Sequence, residues 1–193
     1  MSHLVALDEA RPDLGGNFRG GDNTAFTPVL WRYLVERYGI RSVLDVGCGE
    51  GYAVAFFDRL GLHSHGIDGL LANVERAIVP IAHHDLTAGP YRMPVDLVVS
   101  IEVAEHISEE HVDNYLDTLA NGRVVCMTAA PPHQDGHHHV NCQPSEYWIA
   151  HLEKRGYLFS HENEAYRKVC QTEVGFKYFS MSGLIFHRAS AGA

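Results

Sequence analysis

The sequence predicts an α/β domain: a mostly parallel β-sheet with helices on both faces, closed at one edge by an antiparallel pair of strands. Three observations carry that prediction. From residue 42 to residue 130, short apolar runs alternate with amphipathic segments, and strands separated by helices pair in parallel. One run, Ser42-Val43-Leu44-Asp45-Val46, passes directly into glycines 47, 49 and 51, the kind of turn that leads from a strand into a helix. The tail reads as two strands, near 157–169 and 177–187, with no helix between them, hence an antiparallel hairpin.

The elements follow in order. Residues 25–38 read as a helix, because Pro28 suits a first turn and Leu30, Leu34 and Tyr38 recur at four-residue spacing. After the glycines a helix runs over 52–60 and stops at Gly61. A strand over 63–68, a short helix over 70–77 and a strand near 78–84 come next. Residues 95–101 form the most apolar strand. Residues 109–120 make an amphipathic helix with Val112, Tyr115, Leu116 and Leu119 on one face. Residues 123–128 are the next strand, and a histidine-rich loop spans 131–141. Pro144 then opens a helix through Tyr147, Trp148 and Leu152, with Lys154 and Arg155 in its last turn and Gly156 after it. Residues 1–23, polar and glycine-rich, read either as a flexible segment or as a lid that orders over a ligand. With no repeat and no linker, residues 1–193 form a single domain.

Composition narrows the function. The chain carries 15 Lys+Arg against 24 Asp+Glu, a formal charge of −9, which disfavours nucleic acid and anionic membranes as partners. No apolar run is long enough to span a bilayer, and the N-terminus lacks the charge and hydropathy pattern of a signal peptide. The four cysteines form no CxxC pair. The expected location is the cytoplasm and the expected partner a small molecule; oligomeric state is left open.

The glycine loop carries the first chemistry. Dinucleotide folds require GxGxxG, which would place the third glycine at position 52, here Tyr52. The loop instead reads GxGxG, and Asp45 stands two residues before Gly47. It resembles motif I of the class I, Rossmann-like S-adenosylmethionine-dependent methyltransferases. The resemblance implies a three-layer sandwich around a seven-stranded, mostly parallel sheet. It implies that Gly47, Gly49 and Gly51 wrap the methionine part of S-adenosylmethionine while Asp45 orients loop and ligand. Asp68, closing the next strand, would hold the ribose hydroxyls, and Asp85, after the third, would meet the adenine edge.

A second constellation lies after the strand at 95–101. If residues 102–107 make one helical turn, Glu102, Glu105 and His106 fall at i, i+3 and i+4 on one face. Two carboxylates converging there need a cation or a proton between them. The pattern resembles the metal site of the small-RNA 3′-end 2′-O-methyltransferases, and also the ubiquinone-pathway O-methyltransferases. In the RNA enzymes a further histidine after the fifth strand completes the site. Here His133, His137, His138 and His139 are the candidates, His139 favoured and His137 second. The implied metal ligands are Glu102, Glu105, His106 and His139, for Mg²⁺, Mn²⁺, Fe²⁺ or Zn²⁺. Glu102 also counts among the cofactor contacts, and Glu105, His106 and His139 take the catalytic roles. The competing reading has no metal, with the acids touching ligand or capping a helix and the histidines solvated.

The expected function is therefore divalent-metal-assisted O-methylation of a small hydroxylated acceptor, a sugar or secondary metabolite presenting a vicinal diol. One alternative is a metal-free N- or C-methyltransferase with a histidine base; another, outside enzymes, is a regulatory module binding S-adenosylmethionine or metal. Phe18, Arg19, Tyr91, Tyr147 and Trp148 are candidates to line the acceptor pocket, though packing is the commoner role for each.

Overall fold

The computed structural model describes residues 5–172 and 175–189, so the first four residues of the N-terminal segment lie outside it. A seven-stranded sheet runs through the molecule. In chain order the elements are β1 (Val5–Leu7), β2 (Gly15–Phe18), α1 (Pro28–Tyr38), β3 (Ser42–Val46), α2 (Tyr52–Arg59), β4 (His63–Asp68), α3 (Leu71–Arg76), β5 (Ala82–His83) and β6 (Val95–Ser100). They continue as α4 (Val112–Leu119), β7 (Gly122–Met127), α5 (Ser145–Glu153), β8 (Tyr157–Phe159), α6 (Asn163–Gln171), α7 (Tyr178–Ser182) and β9 (Leu184–Arg188). The sheet order is β5-β4-β3-β6-β7-β9-β8. Strands β3 to β7 are all parallel; β9 pairs antiparallel with both β7 and β8.

Alternation along each buried strand feeds two cores, one per face. Val98, Val125, Met127 and Phe186 pack with Tyr115, Leu116, Trp148 and Leu152 of α4 and α5. Their chain neighbours Leu97, Val99, Val124, Cys126 and Ile185 pack with Trp31, Leu34, Phe57, Tyr166 and Phe179 of α1, α2, α6 and α7. This is the three-layer arrangement expected from the strand–helix alternation. No helix among the described residues is long and apolar enough to cross a membrane. None of the four cysteines forms a disulfide among the described residues.

The terminal hairpin needs correction. Strands β8 and β9 are antiparallel neighbours, but two helices join them, and the strand expected over 157–169 ends at Phe159. Beyond it Asn163, Tyr166 and Cys170 are buried at helical spacing, so α6 forms and packs on α1 and α7. The Asn163 amide ties α6 to the sheet, donating to Gly183 O (2.9 Å) and accepting from Ile185 N–H (2.9 Å). The strand near 78–84 shrinks to Ala82–His83.

Residues 5–18 form a small antiparallel hairpin, β1 with β2, outside the main sheet. Arg19 lies against the buried Glu50 (3.1 Å), and the Gly20 N–H donates to the other oxygen of the same carboxylate (2.9 Å). Asn17 Oδ1 accepts from the buried Asn73 amide (2.9 Å). The N-terminal segment is thus fastened across the glycine loop and α3.

Candidate functional site

A cavity of about 720 Å³ opens at the carboxyl ends of the parallel strands, under the N-terminal hairpin. Open α/β sheets expose ligand sites there, because the chain diverges at the strand ends and leaves helix N-termini facing the gap. One end of the cavity is built by the loop after β3, the other by the turn after β6 and the loop after β7.

At the first end the three glycines do different work. Gly47 (φ +73°) lies against Val103, and a Cβ there would collide with that side chain. Gly49 (φ +55°) lines the cavity beneath Asn17. Gly51 (φ +80°) does not line it; it precedes the first residue of α2 and makes the turn that starts the helix. Asp45 is buried at the cavity wall, and burial, reinforced by the Asp68 charge, pushes its carboxyl up to about 7. The Asp68 Oδ2 accepts from Gly49 N–H (2.8 Å), while Oδ1 accepts from Leu70 N–H (2.9 Å) and the Asn73 amide (3.0 Å). Burial still outweighs these bonds and raises its pKa. Three acceptor positions of a carboxylate's roughly four are taken, which leaves one for a ligand hydroxyl. Asp85 lines the cavity with its Oδ2 held by Arg11 (2.7 Å) and its Oδ1 by the Thr87 N–H (2.8 Å). Partial burial alone would raise Asp85, but those partners prevail and hold it at about 2.

At the second end the expected helical turn does not form from residue 102. Glu102 adopts a left-handed backbone (φ +56°), and only Ala104–His106 make a tight 3₁₀ turn. The buried Thr128 hydroxyl causes this: it accepts from the Glu102 N–H (2.7 Å) and donates to its carboxylate (2.8 Å). Glu105, His106 and His139 are brought together, each offering a ligand atom within 4.8 Å of the others; Glu102 is not in that set. The loop over 131–141 reaches the turn through Val140 N–H and Asn141 N–H, both donating to Glu105 O (2.9 and 3.0 Å), and the Asn141 amide donating to Ile107 O (3.0 Å).

The charges here are strained. Glu105 is fully buried, and neither carboxylate oxygen has a hydrogen-bond partner. Burial first, and then the Glu102 charge, push its pKa well above the usual carboxylate range; the N–H groups of Glu105 and Ala130 give only electrostatic relief. Burial also raises Glu102, against the Thr128 bond. Burial, then the neighbouring His139 and His137, lower His106 to about 4, and its Nδ1 has no partner. The rings of His106 and His139 meet edge to face at 5.1 Å, and His139 Nδ1 is fixed by Gln134 O (3.1 Å). His137 lines the cavity with a buried, partnerless Nε2, and His138 lines it too; His133 does not.

Of the aromatic and basic candidates for the acceptor pocket, only Phe18 lines the cavity. Trp148 is a core residue, Tyr147 bonds Glu109 (2.9 Å), Tyr91 bonds His65 (2.9 Å) and Arg19 bonds Glu50. The apolar wall is instead made by Phe26, Trp31, Tyr52 and Ile101. Sequence reasoning passed over Asn17, Glu50, Asn73, Thr128 and Asn141. Only Glu50 falls within a motif, at a variable position of the glycine loop, and each matters through a partner distant in the chain.

Comparison with known proteins agrees with this architecture. The sequence profile of a family described as a methyltransferase domain matches residues 8–178. The ubiquinone biosynthesis O-methyltransferase of Maricaulis maris (strain MCS10) is 32% identical over 105 residues, 47% of this chain and 41% of that protein. The chain therefore matches less than half the length of that relative. Two solved structures share the fold. The sugar N-methyltransferase KedS8 of Streptoalloteichus superposes with a TM-score of 0.66 at 17% identity, covering 89% of this chain and 90% of the other. The magnesium protoporphyrin IX methyltransferase of Synechocystis, solved with bound SAM, gives 0.59 at 18% identity, covering 82% and 76%.

Proposed function

The chain belongs to the methyltransferase-domain family and is an S-adenosylmethionine-dependent enzyme, and on that premise we propose that it O-methylates a small hydroxylated acceptor with the help of a divalent metal. The acceptor in this reading presents two neighbouring oxygens, as a sugar or a polyhydroxylated metabolite does. One observation carries it: a buried glutamate with two partnerless oxygens lies within ligand distance of two histidines, in the same cavity as the glycine loop. A buried carboxylate without a partner is costly, and a divalent cation is the group that this donor set suits.

In this reading S-adenosylmethionine supplies an electrophilic methyl group on a sulfonium. Asp68 would offer its remaining acceptor position to a ribose hydroxyl, Asp45 would orient the loop and ligand, and the backbone of Gly47 and Gly49 lets the cofactor approach the sheet. Glu105, His106 and His139 hold the metal, with Glu102 beside them. A divalent ion held there would supply Lewis-acid activation of the acceptor hydroxyl. Transfer to the acceptor oxygen would leave the C–S electron pair on sulfur and would require a base on this chain to take the hydroxyl proton. The His137 Nε2, buried without a hydrogen-bond partner in the cavity wall, is placed to take it. The N-terminal hairpin serves as the lid that excludes water and holds both reactants in line, which supplies ~7–11 kcal/mol in well-oriented systems.

Turnover against a panel of diols, with and without a chelator, tests the reading. Activity should vanish with chelator and return with added Mg²⁺ or Mn²⁺, and Glu105→Gln and His106→Ala should each lose metal binding by calorimetry. Full turnover in chelator would remove the metal and leave a histidine-base N- or C-methyltransferase.

A further inference from the structure

We propose that the methyl acceptor carries a protonated amine in addition to its hydroxyl groups, so that the substrate class is a cationic amino alcohol or amino-sugar. The inference rests on the acceptor-cavity reading above and deepens it. Among the described residues lining the cavity there is no lysine or arginine. Those outside the described set contribute none either, since Met1–Leu4, Glu173, Val174 and 190–193 contain no basic residue other than His3.

The carboxylates divide into two groups. Around the glycine loop Asp45 and Asp68 make no ion pair among the described residues and lie at the cofactor end, whereas Asp13, Glu50 and Asp85 are each paired with an arginine, Arg11 or Arg19. Those guanidinium groups approach from outside the cavity, so these acids are already balanced. At the other end Asp22, Glu102, Glu105 and Asp135 make no ion pair among the described residues, and Glu110 has only His111 (3.8 Å). Glu105 adds its two partnerless, fully buried oxygens. Even with Glu102 and Glu105 balanced by a divalent ion, Asp22 and Asp135 keep no ion pair among the described residues and Glu110 keeps only His111.

A cleft whose carboxylates outnumber its permanent cations, as here beside six lining histidines, focuses a negative field and concentrates ligands of the opposite sign. Phosphate and carboxylate groups are ordinarily bound by arginine or lysine, and neither lines this cavity. An anionic acceptor, a nucleotide or a sugar phosphate, would therefore meet repulsion without compensation, whereas an ammonium group gains from every unpaired acid. Phe26 and Tyr52, both part-buried at the cavity, offer the apolar carbon frame of such a molecule a wall to lie on.

The test uses probes of one shape and different charge: dopamine, hydroxytyrosol and 3,4-dihydroxyphenylacetate, which pair a vicinal diol with an ammonium, a neutral alcohol or a carboxylate. Each is titrated by calorimetry into the full chain saturated with S-adenosylhomocysteine and Mg²⁺. The ammonium probe should bind at least ~10-fold more tightly than the carboxylate at about 20 mM salt, with the alcohol between them, and the spread should shrink at about 0.5 M. Glu110 and Asp135 are exposed at the rim, so the Glu110→Gln, Asp135→Asn double variant should fold and narrow the spread by roughly 3-fold. Equal affinities, a preference for the carboxylate, or no binding of any probe while S-adenosylhomocysteine still binds would overturn the inference. Failure of S-adenosylhomocysteine itself to bind would overturn the reading beneath it, and the inference with it.

Discussion

Asp45 shows how a single residue trades stability for a site. Its carboxyl is pushed from 3.8 to about 7 by burial and by Asp68. A raised folded-state pKa means the native chain holds the proton over a range in which the unfolded chain has released it. Stability from this group is therefore complete below about pH 4 and is lost as pH rises through 7. Asp45→Asn should be more stable than the parent above pH 7, by a few kcal/mol or about 5–10 °C, and the gain should disappear near pH 4. Melting curves of the two ligand-free proteins from pH 4 to 8 check this, and S-adenosylhomocysteine should bind the variant more weakly. Gly136 is the matching case at the other end. A Cβ there would run into the His139 ring. Gly136→Ala should displace that ring and weaken Mn²⁺ binding about 10-fold or more with little change in melting temperature, since the residue is exposed. Unaltered Mn²⁺ affinity would mean that His139 does not contribute to the site.

Among the elements, the N-terminal hairpin is held by polar contacts rather than by a core. Arg19→Ala would leave the buried Glu50 with Gly20 N–H and Arg76 as partners. The expected cost is ~1–3 kcal/mol, as for other partly orphaned buried groups. Amide exchange at residues 15–20 should accelerate, and the affinity for S-adenosylhomocysteine should fall. Unchanged exchange there would show that this network does not fasten the hairpin. The same element marks the limit of what the sequence tells. Strands β3 and β6 were legible, because unbroken apolar runs bounded by turns leave few alternatives. The glycine loop was legible because steric freedom is written in the residue itself. The hairpin was not: Asn17, Arg19 and Gly20 acquire meaning only through Asn73 and Glu50. Helix α6 was readable at 163, 166 and 170, but its mean polarity hid the stripe. The helical turn expected over 102–107 does not start at 102, because Thr128, 26 positions away, sets the Glu102 backbone.

Across the whole molecule, adjacent strand ends join the two halves of the cavity. The Ser100 hydroxyl at the end of β6 donates to Val46 O of β3 (3.2 Å) and accepts from the Tyr115 hydroxyl (3.0 Å). Thr128 N–H, after β7, donates to Ser100 O (3.0 Å), and the Thr128 side chain clamps Glu102. The glycine loop and the carboxylate–histidine cluster are therefore ends of one bonded chain, so ordering one should help to order the other. S-adenosylhomocysteine at ~100 times its Kd should add ~2.7 kcal/mol, or about 5–11 °C for a domain of this size. Mn²⁺ should raise the melting temperature further. The two effects should exceed their sum, because a coupling free energy between sites is reciprocal. Calorimetry in both directions measures it: the factor by which Mn²⁺ tightens S-adenosylhomocysteine must equal the factor by which S-adenosylhomocysteine tightens Mn²⁺. Thr128→Val keeps the shape of the side chain but removes the clamp on Glu102. It should reduce that factor toward one while leaving S-adenosylhomocysteine binding in the absence of metal nearly intact. Strictly additive shifts in the parent protein would mean that the two ends of the cavity act independently despite the bonded path between them.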